Sequence, residues 1–407
     1  MHSMKLPATS RPSLDPAAFV QSGAGDLRIG PILAIPTVLR ELGARPQTAF
    51  NRAGVPLAGF RDANARLPIE TAGRLLQECA RLTDRPHFGL LVGERFELAH
   101  LGPLGEQMRH SPNVGSALRS LLLHLHLHDR GAAPLLLQPE PGIALLGYSV
   151  YRHATPGTEL IYDAALAIGC RTLQALCGRQ FAPMAVQFAY RRPSRTAVYR
   201  RMLGAPVLFD AEVAGIVFAS TWLARPIEGA DTVRHRALTR ALQQAHAAMP
   251  LSLGEQVELV LHQMLLGGHG HADAVAHAFG ISQRTLRRRL EAEGKSFQHL
   301  VNRTRYELAC QLLRNTQLSV AHIAAALQYA DVNAFTRAFG GWARCSPTVW
   351  RHAERSDPLS ATRQQRGDSA RRAPDAPVAG AGAGASAYPG PASAAQAPAP
   401  RRARRPR

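Results

Sequence analysis

Two helices joined by a short turn can be located in residues 272–293, and they constrain the fold more than any other feature of the chain. The letters ADAVAHAFG predict a helix over residues 273–279 that ends at Gly280, the residue type that most easily adopts a left-handed turn. Ser282 can cap a second helix over residues 282–293, because its hydroxyl accepts a backbone N–H at a helix start. Helix, glycine-containing turn and helix are together typical of a helix-turn-helix motif.

The second of these helices carries an unusual concentration of positive charge. Four arginines fall within six positions: Arg284, Arg287, Arg288 and Arg289. Most charge runs on helices are solvated faces, and RTLRRRL alone would be explained in that way. At about 100° per residue, Leu286 and Leu290 share the core side, whereas Arg284 and Arg288 point away from it. Like charges at i,i+4 cost a helix about 0.2–0.5 kcal/mol per contact, so an external anion such as phosphate or a guanine edge would explain the run.

The same plan recurs in LSVAHIAAALQYADVNAFTRAFGGW, residues 318–342. Ser319 predicts a cap for an apolar helix over residues 320–327, and a turn then leads to a second helix beginning at Asp331. Its predicted core residues are Ile323, Leu327, Phe335 and Phe339. Its predicted outward residues are Val332, Asn333, Thr336 and Arg337.

The segment between the two motifs, FQHLVNRTRYELACQLLR, is predicted to be one continuous helix of 18 residues. Its length would be about 27 Å, close to the roughly 34 Å between successive major-groove faces on one side of a duplex. Two outward helices on a rigid spacer of this length predict an all-α, double-stranded-DNA-binding domain over residues 252–355.

Residues 272–351 resemble the AraC/XylS family of bacterial transcription regulators, through VAHAFGISQRTLRRRLEAEGKSFQHLVNRTRYELACQLL, SVAHIAAALQYADVNAFTRAFGGW and SPTVWR. The resemblance implies that both second helices contact base edges in adjacent major grooves of a promoter, and that RNA polymerase is a partner. Carried over by position, the DNA-binding residues are Gln283, Arg284, Arg287, Arg288, Val332, Asn333, Thr336 and Arg337.

The second motif departs from the family pattern at three places. The family usually has glycine at the second turn, where this chain has Gln328. If that position is left-handed, a non-glycine residue costs about 1 kcal/mol or more. The usual serine cap is replaced by Ala330, for which Asp331 can substitute, and ARCSP replaces a segment that usually contains glycine.

Residues 28–226 mix helices and strands without strict alternation, which predicts an α+β domain. IETAGRLLQECARLT and TELIYDAALAIGCRTLQALCG have apolar residues at helical spacing. APLLLQPEPGIALLGYSVY predicts two strands joined by a turn at residues 139–142, and MAVQFAY and PVLFDAEVAGIVFA predict further strands. The stretches LRELG, FNRAGVP, RLPIETAGRLLQECARLT and LGPLGEQMRHSPNVGSAL resemble the arabinose-binding-domain-like sensing domain that precedes this DNA-binding domain in one branch of the family. That resemblance implies a small-molecule effector and a homodimer, but it identifies no effector-binding residue.

The remaining segments are predicted to connect or flank these two domains. Residues 1–27, rich in Pro, Ser and Gly, and residues 356–407 are predicted to be disordered. Residues 227–251 form a linker with a helix over 233–249, followed by a capping box from Ser252 to Glu255. The net charge of +19 is concentrated near the C-terminus, with 12 Lys/Arg against 6 Asp/Glu in residues 270–355 and 9 against 3 in the tail.

Other chemistries find little support in the sequence. His124, His126 and His128 would share one face of a strand and offer a metal site, but the preceding VGSALRSLLL favours helix, which turns His126 away. Cys170 and Cys177 are expected to be buried packing residues, with a redox sensor as the alternative. No nucleophile motif such as G-x-S-x-G is present. We therefore expect no metal, no cofactor and no catalysis.

The chain has no signal-peptide h-region and no run of about 18 apolar residues, which predicts a cytoplasmic protein without a membrane partner. Two alternatives to a regulator stay open at this point. One is a nonspecific nucleic-acid-binding or architectural protein that depends on the basic terminus RRARRPR. The other is a DNA alkyl-repair fusion enzyme, which would need a reactive cysteine in a metal or proline-flanked setting that Cys79, Cys170 and Cys177 lack.

Overall fold

A computed structural model describes residues 26–248, 251–266 and 272–356. The two segments predicted to be disordered fall almost entirely outside these ranges, and those two predictions remain untested. Buried apolar side chains form two separate clusters, one between Ile29 and Ala245 and one between Val257 and Trp350. The chain therefore builds an N-terminal and a C-terminal hydrophobic core.

The N-terminal region is centred on a largely antiparallel sheet that contains the predicted strands. The described residues contain these strands: β1 (Asp26–Arg28), β2 (Arg66–Pro68), β3 (Ala132–Leu137), β4 (Ile143–Val150), β5 (Ala185–Gln187), β6 (Val207–Leu208) and β7 (Gly215–Ala219). Five of them form one sheet in the order β3-β4-β7-β5-β6, in which only the β5–β6 pair is parallel. The predicted β3–β4 hairpin is confirmed, with Leu135 opposite Gly147 and Gly142 at φ 84° in the connection.

Helices cover this sheet and complete the predicted α+β architecture. They are α1 (Ile35–Glu41), α2 (Pro46–Ala53), α3 (Ile69–Thr83), α4 (Phe88–Glu94), α5 (Pro103–Arg109), α6 (Val114–His124), α7 (Thr158–Cys177), α8 (Thr196–Leu203) and α9 (Thr232–Ala248). Gly89 allows α4 to pack closely on α7, since a Cβ at that position would lie 2.1 Å from the carbonyl oxygen of Leu160.

Helix α7 is long and apolar enough to cross a membrane by length and composition alone, but 67% of its apolar stretch is buried inside the protein. Burial of this kind is what the core helix of a folded domain shows. Helix α9, within the predicted linker, packs on the same N-terminal core through Leu242 and Ala245. Arg234 of α9 pairs with Glu106 of α5 at 3.0 Å.

The C-terminal region is all-α within the described residues. Its helices are α10 (Leu253–Leu266), α11 (Ala272–Ala278), α12 (Gln283–Ala292), α13 (Phe297–Asn315), α14 (Val320–Ala326), α15 (Val332–Ala343) and α16 (Pro347–Ser356). The predicted capping box at the start of α10 is present, because Ser252 N–H donates to Glu255 at 2.8 Å and Glu255 N–H donates to the Ser252 hydroxyl at 3.2 Å. The predicted spacer helix is α13, with 19 residues.

Candidate nucleic-acid interface

The first helix-turn-helix is built from local signals that the sequence displays. Gly280 separates α11 from α12 with φ 64°, a conformation that glycine adopts without a side-chain penalty. The Ser282 hydroxyl then accepts the backbone N–H of Thr285 at 3.2 Å and caps α12. Leu286 and Leu290 are buried in the C-terminal core. These contacts fix which face of α12 points outward.

The outward face of α12 carries the predicted residues. Gln283, Arg284, Arg287 and Arg288 are all exposed. Within the described residues, none of the three arginines forms an ion pair, and Arg289 beside them is also exposed. A surface of uncompensated guanidinium groups, each with several N–H donors in a planar fork, matches phosphate oxygens and guanine edges.

The second motif repeats the arrangement on α14 and α15. Ser319 caps α14 by accepting the backbone N–H of His322 at 3.1 Å, and Asp331 caps α15 by accepting that of Ala334 at 2.7 Å. Phe335 and Phe339 are fully buried. Asp331 thus supplies the cap that the absent serine at position 330 would have given.

The outward residues of α15 are less uniform than those of α12. Asn333 and Arg337 are exposed, and Val332 is 36% exposed. Thr336 is half-buried, and its hydroxyl donates to the Val332 carbonyl at 2.8 Å. The hydroxyl of Thr336 is therefore engaged within its own helix.

The second turn has the left-handed conformation considered above, with Gln328 at φ 63°. Its side-chain amide donates a hydrogen bond to the Leu265 carbonyl at the end of α10. This bond offsets the cost of the left-handed backbone at a residue with a side chain. Arg344, in the ARCSP segment, is also left-handed, with φ 60° at the end of α15.

A groove of about 450 Å³ lies beside α12 and includes a residue that the sequence analysis missed. Gln283 and Arg287 line it from α12, and Arg305 lines it from α13. The Arg305 guanidinium carbon lies 5.1 Å from the centre of the Tyr329 ring, in the second motif. Arg305 therefore stands between the two motifs, a position that depends on how α13 crosses α12 and gives no signal in the sequence.

The two cores are joined by direct contacts to the spacer helix. Glu307 of α13 accepts the backbone N–H of His153 at 2.9 Å, and its carboxylate lies 2.6 Å from the His153 ring nitrogen Nδ1. Burial alone would raise the pKa of Glu307, but the hydrogen bonds from His153 hold it below its ordinary value. Gln311, one turn further on, donates to the Val150 carbonyl at the end of β4. No local signal in the sequence indicates this interface.

Two further contacts reach α10 and the second motif. His262 of α10 is buried, with its Nδ1 3.3 Å from the Ser149 hydroxyl, and burial lowers its pKa to about 4. At the other end, Asp210 accepts the backbone N–H of Gln317 at 2.7 Å, and Glu212 lies 3.3 Å from the His322 ring. The N-terminal region thus touches α10, α13 and α14.

Of the three histidines considered as metal ligands, His124 and His126 both lie against the His246 ring, with ring centres 6.3 and 4.9 Å away, whereas His128 lies beside Arg28. His124 ends α6 and His126 lies in the 3₁₀ turn over Leu125–Leu127. The prediction that a helix turns His126 away was incomplete, because the 3₁₀ turn places its Nε2 3.1 Å from Nδ1 of His246 on α9. Burial lowers the pKa of His126 to about 3, and charge repulsion from His246 and His124 acts in the same direction. The described residues contain no group of three or more metal-ligating side chains with suitable geometry.

The three cysteines of the N-terminal region are poor nucleophiles in this environment. Cys79, Cys170 and Cys177 are buried, as expected of Cys170 and Cys177. Burial raises the pKa of Cys170 to about 12 and that of Cys177 to about 11, and it raises the pKa of Cys79 further. Since the thiolate is the reactive form, none of the three suits alkyl transfer.

Comparisons with known proteins find a matching family for the N-terminal part and for the C-terminal part of the chain. Residues 43–227 match the family described as the arabinose-binding domain of AraC transcription regulator, N-terminal, and residues 275–353 match a helix-turn-helix domain family. The HTH-type transcriptional regulator VirS of Mycobacterium tuberculosis is 27% identical over 77% of this chain and 93% of its own length. The ornithine utilization regulator of Pseudomonas aeruginosa is 26% identical over 86% of this chain and 100% of its own length.

Among solved structures, the transcriptional regulator CdpR from Pseudomonas aeruginosa is 20% identical. The match covers 75% of this chain and 96% of that chain, with a TM-score of 0.37.

Proposed function

Because this chain belongs to the AraC family and is a DNA-binding transcription regulator rather than an enzyme, we propose that α12 and α15 contact bases in adjacent major grooves and that a small-molecule effector controls the contact. The observation that carries the proposal is the pair of capped helices with outward polar faces at the two ends of α13. At 1.5 Å per residue, the 19 residues of α13 span about 28 Å, which approaches the groove repeat.

The side chains on the two helices suit different bases. Arginines of α12 can donate two hydrogen bonds to guanine O6 and N7, and Asn333 of α15 can pair with adenine N6 and N7. Val332 and the Thr336 methyl group can contact a thymine methyl. The proposed base-contacting residues are Gln283, Arg284, Arg287, Arg288, Val332, Asn333, Thr336 and Arg337. Arg305, in the groove beside α12, is proposed to bind phosphate.

The N-terminal region is proposed to sense the effector. Its contacts with Glu307 and Gln311 of α13 and with His262 of α10 give it a direct mechanical connection to the DNA-binding helices. An effector must favour one arrangement of this interface over another, since equal affinity for both would shift nothing. A homodimer, contact with RNA polymerase and a cytoplasmic location complete the proposal, on the basis of the family.

Selection of a random duplex pool by the full chain at physiological salt tests base contact directly. We expect a site with two enriched blocks about one helical turn apart. Substituting Arg287→Ala or Arg288→Ala should then cost about 1–3 kcal/mol, mainly at one base position of the first block. The matched control is Arg40→Ala on α1, an exposed arginine far along the chain from both motifs, which should leave binding unchanged.

The outcomes separate three interpretations. A loss that is uniform across all sequences would mean that the arginine contacts only phosphate. A single enriched block would mean that the second motif positions the first without recognising bases. Removal of residues 356–407 should preserve the enriched sequence, and loss of that preference would instead favour a nonspecific binder that depends on its tail.

A further inference from the structure

An apolar cavity of about 120 Å³ lies between the sheet and α7 in the N-terminal region. Its walls come from α3, β4, β7 and the segment after α6, and its aliphatic lining includes Leu76, Leu146, Ile161 and Ile216. Helix α7 contributes the small residues Ala164, Ala165 and Gly169 to the wall. Small residues on a core helix leave the space that larger side chains would have filled, and this explains why the cavity exists.

The size of the cavity limits its occupant. A cavity of about 150 Å³ lined by Leu, Ile and Phe stays dry and binds benzene, so this one accepts a single ring or an alkyl group of about six carbon atoms. Ala165, Ile168 and Leu125 are lining residues that are only partly buried. Such a ligand therefore has a route into the cavity that does not require the core to open.

Four of the lining residues carry polar side-chain groups, His128, Asp129, Tyr148 and Thr172, and Asp129 is the acid among them. Asp129 is 3% exposed and lines the cavity together with Tyr148. Its carboxylate accepts the backbone N–H of Gly131 at 2.7 Å, a backbone hydrogen bond from Ala132 and the phenol O–H of Tyr148. A carboxylate offers about four acceptor positions, so one position is left for a donor on a ligand. Burial raises the pKa of Asp129 to about 6, whereas these hydrogen bonds and the nearby Arg66 charge act in the opposite direction and favour the carboxylate.

Asp129 also lines a second space, which borders the DNA-binding half. This cleft, of about 680 Å³, lies between the two cores and is bordered by Asp129 on one side and by Glu255, His262 and His299 on the other. A ligand bound to Asp129 consequently acts on the wall that faces α10 and α13. The cavity is thus placed where occupancy can alter the interface between the two regions.

Resting on the effector control proposed above, we infer that this cavity is the effector site. The effector it fits is a small molecule with an apolar body of ring size and one hydroxyl or ammonium group that donates to Asp129. A carboxylate in the same position would oppose the Asp129 carboxylate, which is itself buried, and like charges repel more strongly there than in bulk water. The site therefore selects alcohols and amines over acids of equal size.

Benzyl alcohol, benzylamine, toluene and benzoate are the probes that test this inference, each added to the full chain and followed by calorimetry. We expect benzyl alcohol or benzylamine to bind at least 10-fold more tightly than toluene, because a hydrogen bond to a charged group contributes about 1.5–3 kcal/mol, and we expect no binding of benzoate. The better of the two donors identifies the head group as neutral or cationic. Failure of all four probes to bind, or equal binding of benzoate, would overturn the inference.

A cavity-filling variant shows where the probe sits. Ala165→Leu places a larger side chain on the cavity wall and should abolish binding without lowering the melting temperature, because the site is already partly open. The matched control is Ala175→Leu on the same helix, an exposed position that does not line the cavity, and it should bind as the unmodified chain does. Equal binding by Ala165→Leu would place the probe elsewhere and refute the site.

The affinity for DNA, measured with and without the probe, separates this inference from the proposed function. If the probe binds in a way that Ala165→Leu abolishes and yet leaves the affinity for DNA unchanged, that result would support the ligand site and contradict its role in regulation. If the unmodified chain binds no probe but still binds DNA with sequence specificity, the ligand site is refuted and the regulator proposal stands.

Discussion

Acidification should lower the free energy of unfolding through His262, the buried histidine of α10 that contacts the N-terminal region. Its imidazole lies against Ser149 and against the Tyr151 ring, with 4.8 Å between the ring centres. Burial lowers its pKa to about 4 from an ordinary value of 6.5. In the unfolded chain the ring is free to bind a proton near the ordinary value. Between these two values the unfolded state binds more protons than the folded state, and stability must fall as the pH falls.

The magnitude follows from the two pKa values. Above about pH 7 both states hold a neutral ring, and the full contribution to stability is present. At about pH 5 the unfolded ring is almost wholly protonated, whereas the folded ring is about one-tenth protonated, which lowers the free energy of unfolding by about 2 kcal/mol. The loss approaches about 3 kcal/mol below pH 4, where both forms are protonated.

The measurement is the difference between the full chain and its His262→Gln variant in urea unfolding at about pH 7.5 and about pH 5. Glutamine keeps a polar side chain near Ser149 and does not titrate, so the other buried histidines contribute equally to both proteins. We expect the pH-dependent loss to be about 2 kcal/mol smaller in the variant. An NMR titration of the His262 ring should give a pKa near 4. Equal losses in the two proteins, or a titration near 6.5, would refute the burial argument.

Two smaller predictions concern the second motif and the interface. The Gln328→Gly variant should be about 1 kcal/mol more stable than the Gln328→Ala variant in thermal unfolding. Both variants lose the hydrogen bond to Leu265, but only alanine keeps the cost of a positive φ. Equal stability of the two variants would contradict a left-handed turn. Glu307→Gln should cost about 1.5 kcal/mol at neutral pH, since it removes a charged hydrogen-bond partner of His153. Because the pKa of Glu307 is lowered in the folded state, that cost should disappear as the pH falls through the ordinary range of a glutamate and below it, and a cost that persists there would refute the assignment.

The two motifs could be predicted because their signals are local. These signals act within one turn of the chain, through backbone conformation and helix caps. The residues that carry them have the predicted roles in the structure: Gly280, Ser282, Ser319 and Asp331. The predicted outward faces of α12 and α15 follow from the burial of leucine and phenylalanine at helical spacing. The β3–β4 hairpin was predictable for the same reason, as its turn and its two strands are contiguous.

The features that the sequence did not predict depend on contacts between distant residues. Asp129 meets Tyr148 across 19 positions, and His153 meets Glu307 across 154. Residue type alone gives no sign of either contact. The same reason explains His126, whose partner His246 is 120 positions away. The cavity beside Asp129 is harder still to predict, because it is a space between several elements and depends on how all of them pack.

Helix α13 both holds the two motifs apart and contacts the N-terminal region. It is continuous over 19 residues, and its buried side belongs to the single C-terminal core that both motifs share. Closely packed cores do not deform continuously. An effector that alters the contacts of Glu307 or Gln311 therefore cannot stretch the spacing between α12 and α15. It must instead change how the whole DNA-binding unit docks on the N-terminal region, and both motifs should gain or lose affinity for DNA together.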